Sequence, residues 1–250
     1  MIKKYVTRRQ RAEERKNKIK KTATLIVAIL VVAIMAVAGK GFFLQSTTSV
    51  DFDEIKIPEY NGQAYCEIND NKPFFTEKDL NRETFELYSD LDSLGRCGVA
   101  FANISRELMP TEERGEIGSI KPSGWVQAKY EGIVNSSPPY LYNRCHLIAH
   151  CLTAENANEK NLITGTRYMN VEGMLPFEEQ VAQYLDNNDN HVLYRVTPVF
   201  EGQNLLASGV LIEAYSVEDS GDGICFCVYC YNVQPGIEIN YRTGESKQIK

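Results

Sequence analysis

Tyr142-Asn-Arg-Cys-His-Leu-Ile-Ala-His150 is the stretch on which the interpretation of the whole chain depends, because it holds two of the three histidines. It joins a strand-like segment to a helix-like one. Downstream lie an amide-rich loop, Glu155-Asn-Ala-Asn-Glu-Lys-Asn161, and two polar segments, Arg167-Tyr-Met-Asn170 and Pro176-Phe-Glu178. Histidine can take a proton from water near neutral pH, Asn and Glu oxygens suit Mg²⁺, and Arg can clamp a phosphate. Together these segments predict a site for phosphodiester cleavage.

The motif within this stretch, Asn143-Arg144-Cys145-His146, resembles the Asp-Arg-Gly-His signature of the DNA/RNA non-specific endonucleases, the ββα-metal or His-Me finger nucleases. Asn161 and Asn170 lie nine residues apart, and Glu178 lies eight residues beyond Asn170. This spacing is similar to that of the family's downstream Asn, its metal-binding Asn and its Glu. A four-residue motif alone is a weak signal, and the ordered combination carries the resemblance.

The resemblance extends from about Cys97 to Gln248. The segments Asn161–Asn170 and Tyr231–Gly236 are similar to the DNA-entry nuclease branch of the family. The resemblance implies a ββα-metal finger as the active site. It also implies DNA as the substrate, with RNA as a second candidate. The sequence does not identify a protein inhibitor or an uptake machinery as a partner.

The resemblance also assigns roles to five side chains. It implies that His146 is the general base that activates the attacking water. It implies that Asn170 is the one direct protein ligand of a single Mg²⁺, for which Mn²⁺ can substitute. Glu178 would orient water on the metal, Asn161 would hold the base or the phosphate, and Arg144 would contact phosphate. The metal would stabilise the leaving 3′-oxygen, and the products would carry 5′-phosphates.

Three positions depart from the family pattern. Asn143 replaces the Asp of the motif and can still accept a hydrogen bond. Cys145 replaces its Gly, and a small thiol fits there unless the backbone needs a positive φ. Ala182 stands where the family often has an Arg, four residues after Glu178. Arg167 could supply that charge, or could be an ion-pair partner in an acidic domain.

Other interpretations of the motif stay open. His146 and His150 have the i, i+4 spacing that can bind zinc, which would give a zinc hydrolase, although no third ligand is evident in the sequence. A nucleophilic Cys145 is disfavoured because such a cysteine needs a histidine opposite it in space. The substitutions at Asn143 and Cys145 also suit a catalytically weak DNA-binding receptor of the same fold. His191, at the start of a strand, is predicted to lie on the surface.

The charge is divided unevenly between the N-terminus and the rest of the chain. Residues 1–21 hold ten Lys and Arg against Glu13 and Glu14, while residues 22–250 hold 17 basic and 31 acidic residues. Between them, residues 22–39 are uncharged and strongly apolar, at the short end of a membrane span. We therefore predict a cytoplasmic tail at 1–21, a single-pass transmembrane signal-anchor at 22–44, a linker at 45–60 and an extracellular domain at 61–250. A cleaved signal peptide is the alternative.

The acidity of the exported part argues for modest, salt-sensitive affinity for nucleic acid rather than tight binding. A narrow basic strip could suffice locally. Its predicted members are Lys121, Lys129, Arg144, Arg167 and Arg195.

The seven cysteines are an odd number, so at least one thiol is free or paired between chains. Cys225, Cys227 and Cys230 could suggest a soft-metal site. The apolar residues between them favour a buried strand instead.

The order of strand-like and helix-like segments predicts an α+β fold built on an antiparallel sheet with flanking helices. Strands are predicted at residues 97–104, 124–130, 191–200, 207–217 and 224–233, with one more edge strand from Gly236 onwards. A helix is predicted at residues 177–186, because Pro176 suits its start and one face is apolar. The last three strand runs are separated by turn clusters and predict an antiparallel meander.

Overall fold

The structure is a computed structural model that describes residues 55–80 and 82–249. The predicted basic tail at 1–21 and the predicted membrane span at 22–44 lie outside the described residues. Within the part of the chain that is described, no helix is long and apolar enough to cross a membrane.

The largest sheet among the described residues has six antiparallel strands. Its strands are β1 (Tyr65–Glu67), β2 (Phe85–Tyr88), β3 (Ala100–Ile104), β6 (Val192–Val199), β7 (Gly209–Ser216) and β8 (Cys225–Tyr231). They lie in the order β1-β8-β7-β6-β3-β2. The predicted meander is confirmed as β6, β7 and β8, and the predicted strand at 97–104 is confirmed as the shorter β3.

Both faces of this sheet are covered, which explains the near-continuous apolar runs of its central strands. On one face Tyr194 and Val228 belong to the main apolar core, which also contains Val181 and Leu185 from a helix. On the other face Tyr229 belongs to a second apolar cluster. Since successive side chains of a strand point to opposite faces, each central strand supplies both cores.

A smaller unit holds the motif residues. Strand β4 (Tyr142–His146) pairs antiparallel with β5 (Leu162–Thr166) in a two-stranded sheet of its own. The connection between them contains the one-turn helix α1 (His150–Thr153), and a π-helical turn (Met169–Met174) leads from β5 into helix α2 (Leu175–Asn187). The predicted α+β class and the helix at 177–186 are confirmed. The order strand, strand, helix is the one that the family resemblance implied.

Asn232 ties the smaller unit to the six-stranded sheet. Its side-chain amide is fully buried and donates to the carbonyl oxygens of Thr164 and Ala207, at 3.1 and 2.9 Å. Its Oδ1 accepts from the backbone N–H of Thr166 at 2.9 Å. Because buried polar groups must be paired, this one side chain fixes β5 against the end of β8.

Two of the predicted strands need correction. Residues 124–130 form no strand, because Gly124 has a φ of +66° and the N–H of Trp125 closes a turn on the carbonyl of Pro122. Lys129 alone makes an isolated bridge, to Tyr140. After Gly236, the expected extra strand exists as β9 (Ile237–Ile239), but it pairs with β10 (Ser246–Gln248) in a separate two-stranded sheet.

Two residues expected at the surface are instead mostly covered. Arg195 is 2% exposed, and its guanidinium binds both carboxylate oxygens of Glu213 at 2.6 and 2.8 Å, so it cannot belong to a surface basic strip. His191 lies beside Glu218, with Nδ1 2.8 Å from a carboxylate oxygen, and its side chain is 17% exposed. Both side chains therefore lie against an acidic partner.

Candidate active site

An open cavity of about 1000 Å³ lies over β4 and the start of α2. Four residues singled out in the sequence line it: Arg144, His146, Asn170 and Glu178. Its other charged or titratable lining residues include Arg114, His150 and Arg167. The fifth singled-out residue, Asn161, is completely buried and does not line the cavity.

His146 ends strand β4 and is held by hydrogen bonds at both ring nitrogens. Its Nε2 lies 2.8 Å from the carbonyl oxygen of Asn156. A carbonyl can only accept, so Nε2 carries the ring hydrogen and Nδ1 keeps a lone pair. A guanidinium nitrogen of Arg114 lies 3.2 Å from Nδ1 and donates to it. The imidazole is therefore neutral, in a single tautomer, with its basic nitrogen toward Arg114.

The surroundings of His146 disfavour its charged form. Only 6% of the residue is exposed. Burial is the largest cause that lowers its pKa to about 4, and the charge of Arg114 lowers it further. The hydrogen bond to Asn156 acts in the opposite direction. A neutral imidazole is the form that a general base needs.

Asn161 fixes the chain next to His146 instead of facing the cavity. Its Oδ1 accepts from the N–H of Ile148 at 2.9 Å, and its Nδ2 donates to the carbonyl of the same residue at 2.9 Å. The backbone carbonyl of Asn161 also accepts from Leu147 at 2.8 Å. The amide is completely buried and does not line the cavity, so it does not reach a phosphate there. Of the two predicted functions of Asn161, the geometry agrees with holding the base.

Asn170 and Glu178 approach the cavity from the helical side. Asn170 lies in the π-helical turn and is partly exposed, while Glu178 lies in the first turn of α2 and is 8% exposed. Burial raises the pKa of Glu178 to about 8. Among the described residues, no group donates a hydrogen bond to its carboxylate. A buried carboxylate without a donor is costly, so this group fits a cation or an ordered water.

These donors fit the implied metal. Asn170 and Glu178 line the same cavity and carry oxygen donors. Mg²⁺ takes few protein oxygens while it keeps several waters. A zinc centre on His146 and His150 fits less well. Both ring nitrogens of His146 are already engaged. Within the described part of the chain, no group of three or more His, Cys, Asp or Glu side chains is arranged to hold a metal.

Arg144 lines the cavity but is largely committed to the protein itself. Its Nε donates to the carbonyl of Ile120, one terminal nitrogen donates to the carbonyl of Gly118, and the guanidinium lies 4.2 Å from the ring centroid of Trp125. It therefore braces residues 118–120 at the rim of the cavity. Its other terminal nitrogen is not used in these bonds.

Cys145 at the glycine position of the motif is explained by its neighbour across the hairpin. A side chain at Gly165 would come within 2.6 Å of Met169 and closer still to the Cys145 sulfur, so a bare glycine makes room for the thiol. Cys145 is completely buried, and burial raises its pKa far above the ordinary value. A buried, protonated thiol is inert, which excludes the nucleophile interpretation.

The prediction that Cys225, Cys227 and Cys230 belong to a strand and not to a soft-metal site agrees with the structure. Cys225, Cys227 and Cys230 all lie in β8, with Cys227 and Cys230 completely buried in opposite cores. Every described cysteine has a free thiol.

Three residues of the site carry no recognisable signal in the sequence motif: Arg114, Asn156 and Trp125. Arg114 lies in the acidic stretch Glu112-Glu-Arg-Gly-Glu116, which resembles a solvated loop. Asn156 acts through its backbone carbonyl, which no side-chain pattern reveals. Trp125 was assigned to a strand. The one available signal was that Trp125 is the only tryptophan of the chain.

The chain is similar in sequence to known proteins. A family model described as DNA/RNA non-specific endonuclease matches residues 76–218, more than half of the chain. A protein named deoxyribonuclease from Streptococcus dysgalactiae subsp. equisimilis is 35% identical over 199 residues, which cover 63% of this chain and 59% of that protein. The chain thus spans less than two thirds of the length of this relative.

Two solved structures have the same fold. NucA from Streptococcus agalactiae with a bound magnesium ion is 24% identical, with a TM-score of 0.68 over 79% of this chain and 92% of that one. Sda1 nuclease with a bound zinc ion is 25% identical, with a TM-score of 0.62 over 75% of this chain and 97% of that one.

Proposed function

This chain belongs to the DNA/RNA non-specific endonuclease family, and we propose that it is a metal-dependent endonuclease that hydrolyses phosphodiester bonds of DNA. The observation that carries the proposal is the state of His146. It is neutral, its tautomer is fixed by the carbonyl of Asn156, and Nδ1 keeps its lone pair at the wall of a cavity that Asn170 and Glu178 also line.

His146 supplies the base in this mechanism. The Nε2–H···O bond to Asn156 orients the ring and becomes stronger when the imidazole is charged, because charge-assisted hydrogen bonds are the stronger ones. Nδ1 accepts the proton of the attacking water. Asn161 keeps the backbone after His146 in place through Ile148, so the ring does not swing away from the cavity.

Asn170 would contact the cation directly. Glu178 would hold the waters of the cation through its carboxylate. When bound, a divalent cation stabilises negative charge on the phosphate and on the leaving 3′-oxygen. Mg²⁺ is the proposed ion because the donors are hard oxygens, and Mn²⁺ is the expected substitute. Magnesium bound to NucA and zinc bound to Sda1 support a divalent ion at this kind of site.

Positive charge around the cavity would bind the substrate backbone. Arg114, Arg144 and Arg167 line it, and Lys129 lies near its rim, with its ammonium 4.9 Å from the ring centroid of Tyr140. The rest of the domain is acidic, so binding should be local and sensitive to salt. DNA is favoured over RNA as the substrate because the similar protein from S. dysgalactiae is named a deoxyribonuclease.

The proposal includes a location outside the cell, anchored through residues 22–44. It rests on the apolar run and on the basic residues that precede it. Protease added to intact cells should digest the domain and spare an N-terminal tag. Release of active protein that begins near Gly39 would replace the anchor with a cleaved signal peptide.

Nicking of supercoiled plasmid by the purified full-length chain tests the function. Cleavage should stop in EDTA and return with Mg²⁺ or Mn²⁺, and the new ends should carry 5′-phosphates. Asn170→Ala should lose most activity, whereas Asn170→Asp should keep some because it retains an oxygen ligand. Plasmid binding without nicking under any of these metals would instead identify a DNA receptor of the same fold.

A further inference from the structure

Arg114 occupies the atom that the proposed mechanism needs free. Its terminal nitrogen donates to Nδ1 of His146 at 3.2 Å, and Nε2 is already committed to the Asn156 carbonyl. The imidazole has no other lone pair in its ring plane. While the Arg114 contact exists, His146 cannot accept a proton from water.

We propose that Arg114 is a latch that substrate displaces: it caps Nδ1 of His146 in the free enzyme and transfers to the phosphate oxygens of bound DNA. This inference rests on the proposed nuclease function and adds a regulatory step to it. Without DNA, Nδ1 of His146 would not be available to accept a proton from water or from a small solute. Binding of the phosphodiester would itself free this nitrogen.

The segment that holds Arg114 is suited to such a movement. Residues 110–117 form neither helix nor strand, and residues 111–116 are all exposed. Glu112, Glu113 and Glu116 flank the arginine, yet among the described residues no carboxylate lies within ion-pair distance of its guanidinium. A cation surrounded by acids but paired with none remains available for an incoming anion.

Asn156 connects the latch to the base. Its carbonyl holds Nε2 of His146, and its side-chain nitrogen lies 2.8 Å from the position that a side chain at Gly115 would take. The loop therefore rests directly on the residue that orients the imidazole. The Oδ1 of Asn156 is buried without a hydrogen bond among the described residues, so the loop is not fastened there by that oxygen.

Transfer of the Arg114 hydrogen bond from the imidazole to a phosphate oxygen is energetically favourable. A hydrogen bond from a guanidinium to an anionic phosphate is stronger than one to a neutral imidazole, and it can be bidentate. Once Nδ1 is free, it takes a proton from water, and the water oxygen bonds to phosphorus as the bond to the 3′-oxygen breaks. The 3′-oxygen leaves with the electron pair and is protonated by solvent. His146 then holds hydrogen on both nitrogens and returns one to solvent.

Acylation by diethyl pyrocarbonate reports whether the latch exists, because this reagent attacks a free imidazole lone pair. Peptide mass spectrometry of the metal-free full-length chain separates modification of His146 from that of His150 and His191. Arg114→Ala should raise the rate at His146 by roughly tenfold or more, as expected for removal of a hydrogen bond from a charged donor. Arg167→Ala is the matched control, since it removes a charge from the same cavity without touching His146.

Binding of thymidine 3′,5′-bisphosphate, which has no diester to cleave, reports the transfer. Arg114→Ala should weaken it by roughly tenfold to a hundredfold. An unchanged acylation rate at His146 would overturn the proposal. Faster acylation with unchanged or tighter bisphosphate binding would overturn it too, because Arg114 would then be a cap that never moves to phosphate. Neither measurement depends on catalysis. If both give the expected results but the chain never nicks DNA, the nuclease function is refuted and the latch is not.

Discussion

The side-chain amide of Asn161 brackets the backbone of Ile148, accepting from its N–H and donating to its carbonyl, each at 2.9 Å. Ile148 lies two residues after His146, at the point where the chain leaves β4 and approaches α1. Both groups are buried, so neither can exchange its partner for water. The position of the proposed base is thus set by an amide that does not line the cavity.

Loss of the two hydrogen bonds of this Asn161 bracket should lower both the free energy of unfolding and the rate of cleavage. Asn161→Ala leaves the two backbone groups of Ile148 unsatisfied, so the free energy of unfolding should fall by about 1–3 kcal/mol for each group left buried. The kcat should also fall, because His146 is less well oriented, while Mg²⁺ affinity is preserved. Urea unfolding and plasmid kinetics measure these effects.

Asn158→Ala is the matched control for that change. Its side chain lies in the same loop and accepts only from the N–H of Lys160, at 3.0 Å. The rate should stay near that of the parent. Equal losses of rate in the two variants would mean that the loop as a whole, and not the bracket, positions the base.

The acid limit of activity should lie well below the ordinary range of histidine. Burial lowers the pKa of His146 to about 4, so the imidazole stays neutral as the pH falls through 6.5, the usual value. At saturating Mg²⁺, kcat/KM should therefore hold between pH 7 and about 5 and decline as the pH approaches 4. A decline centred near 6.5 would show that His146 is solvated in the active enzyme.

Metal affinity should also weaken as the pH falls, but in a higher pH range. Burial raises the pKa of Glu178 to about 8, so the carboxyl is mostly protonated at pH 7 without metal. A cation favours the ionised form, so Mg²⁺ binding should release a proton and weaken as the pH falls below about 8. Calorimetry in buffers of different ionisation enthalpy measures the release. Glu178→Gln should abolish it, and persistence of the release in that variant would assign the proton to another group.

The buried pair of Arg195 and Glu213 should matter for stability and not for chemistry. Both are almost completely buried on the sheet face opposite to α2, with two short hydrogen bonds between them. Glu213→Gln removes the negative charge and should cost about 3–5 kcal/mol of folding free energy. Thermal unfolding tests this. A folded variant at low temperature should keep the parental kcat, whereas a large loss of kcat would connect this face to the active site.

The order of elements could be predicted from the sequence because its signals are local. The β-rich runs that became β6, β7 and β8 are bounded by turn residues. Helix α2 begins at Leu175 with Pro176 in its first turn, and its apolar face includes Val181 and Leu185. The segment at 124–130 misled because its apolar and polar residues alternate as in a strand. Gly124, at positive φ, turns the chain instead.

The site could be predicted only where side chains carry the chemistry. His146, Asn170 and Glu178 do line one cavity, as their spacing suggested. Arg114 is 32 residues from His146 in sequence, and Asn156 contributes a backbone carbonyl, so neither left a recognisable spacing. Burial, which moves the pKa values of His146 and Glu178 in opposite directions, depends on tertiary packing and is absent from any motif.

Plasmid cleavage by His146→Ala tests the central claim most directly. In saturating Mg²⁺ at neutral pH, the variant should cleave at least about a hundredfold more slowly than the parent, the low end of what a positioned base contributes. Its circular dichroism and DNA binding should match those of the parent. His150→Ala changes another histidine that lines the same cavity, and its loss of rate should be far smaller. If His146→Ala cleaves plasmid at the parental rate while His150→Ala is inactive, His146 is not the base and the account is contradicted.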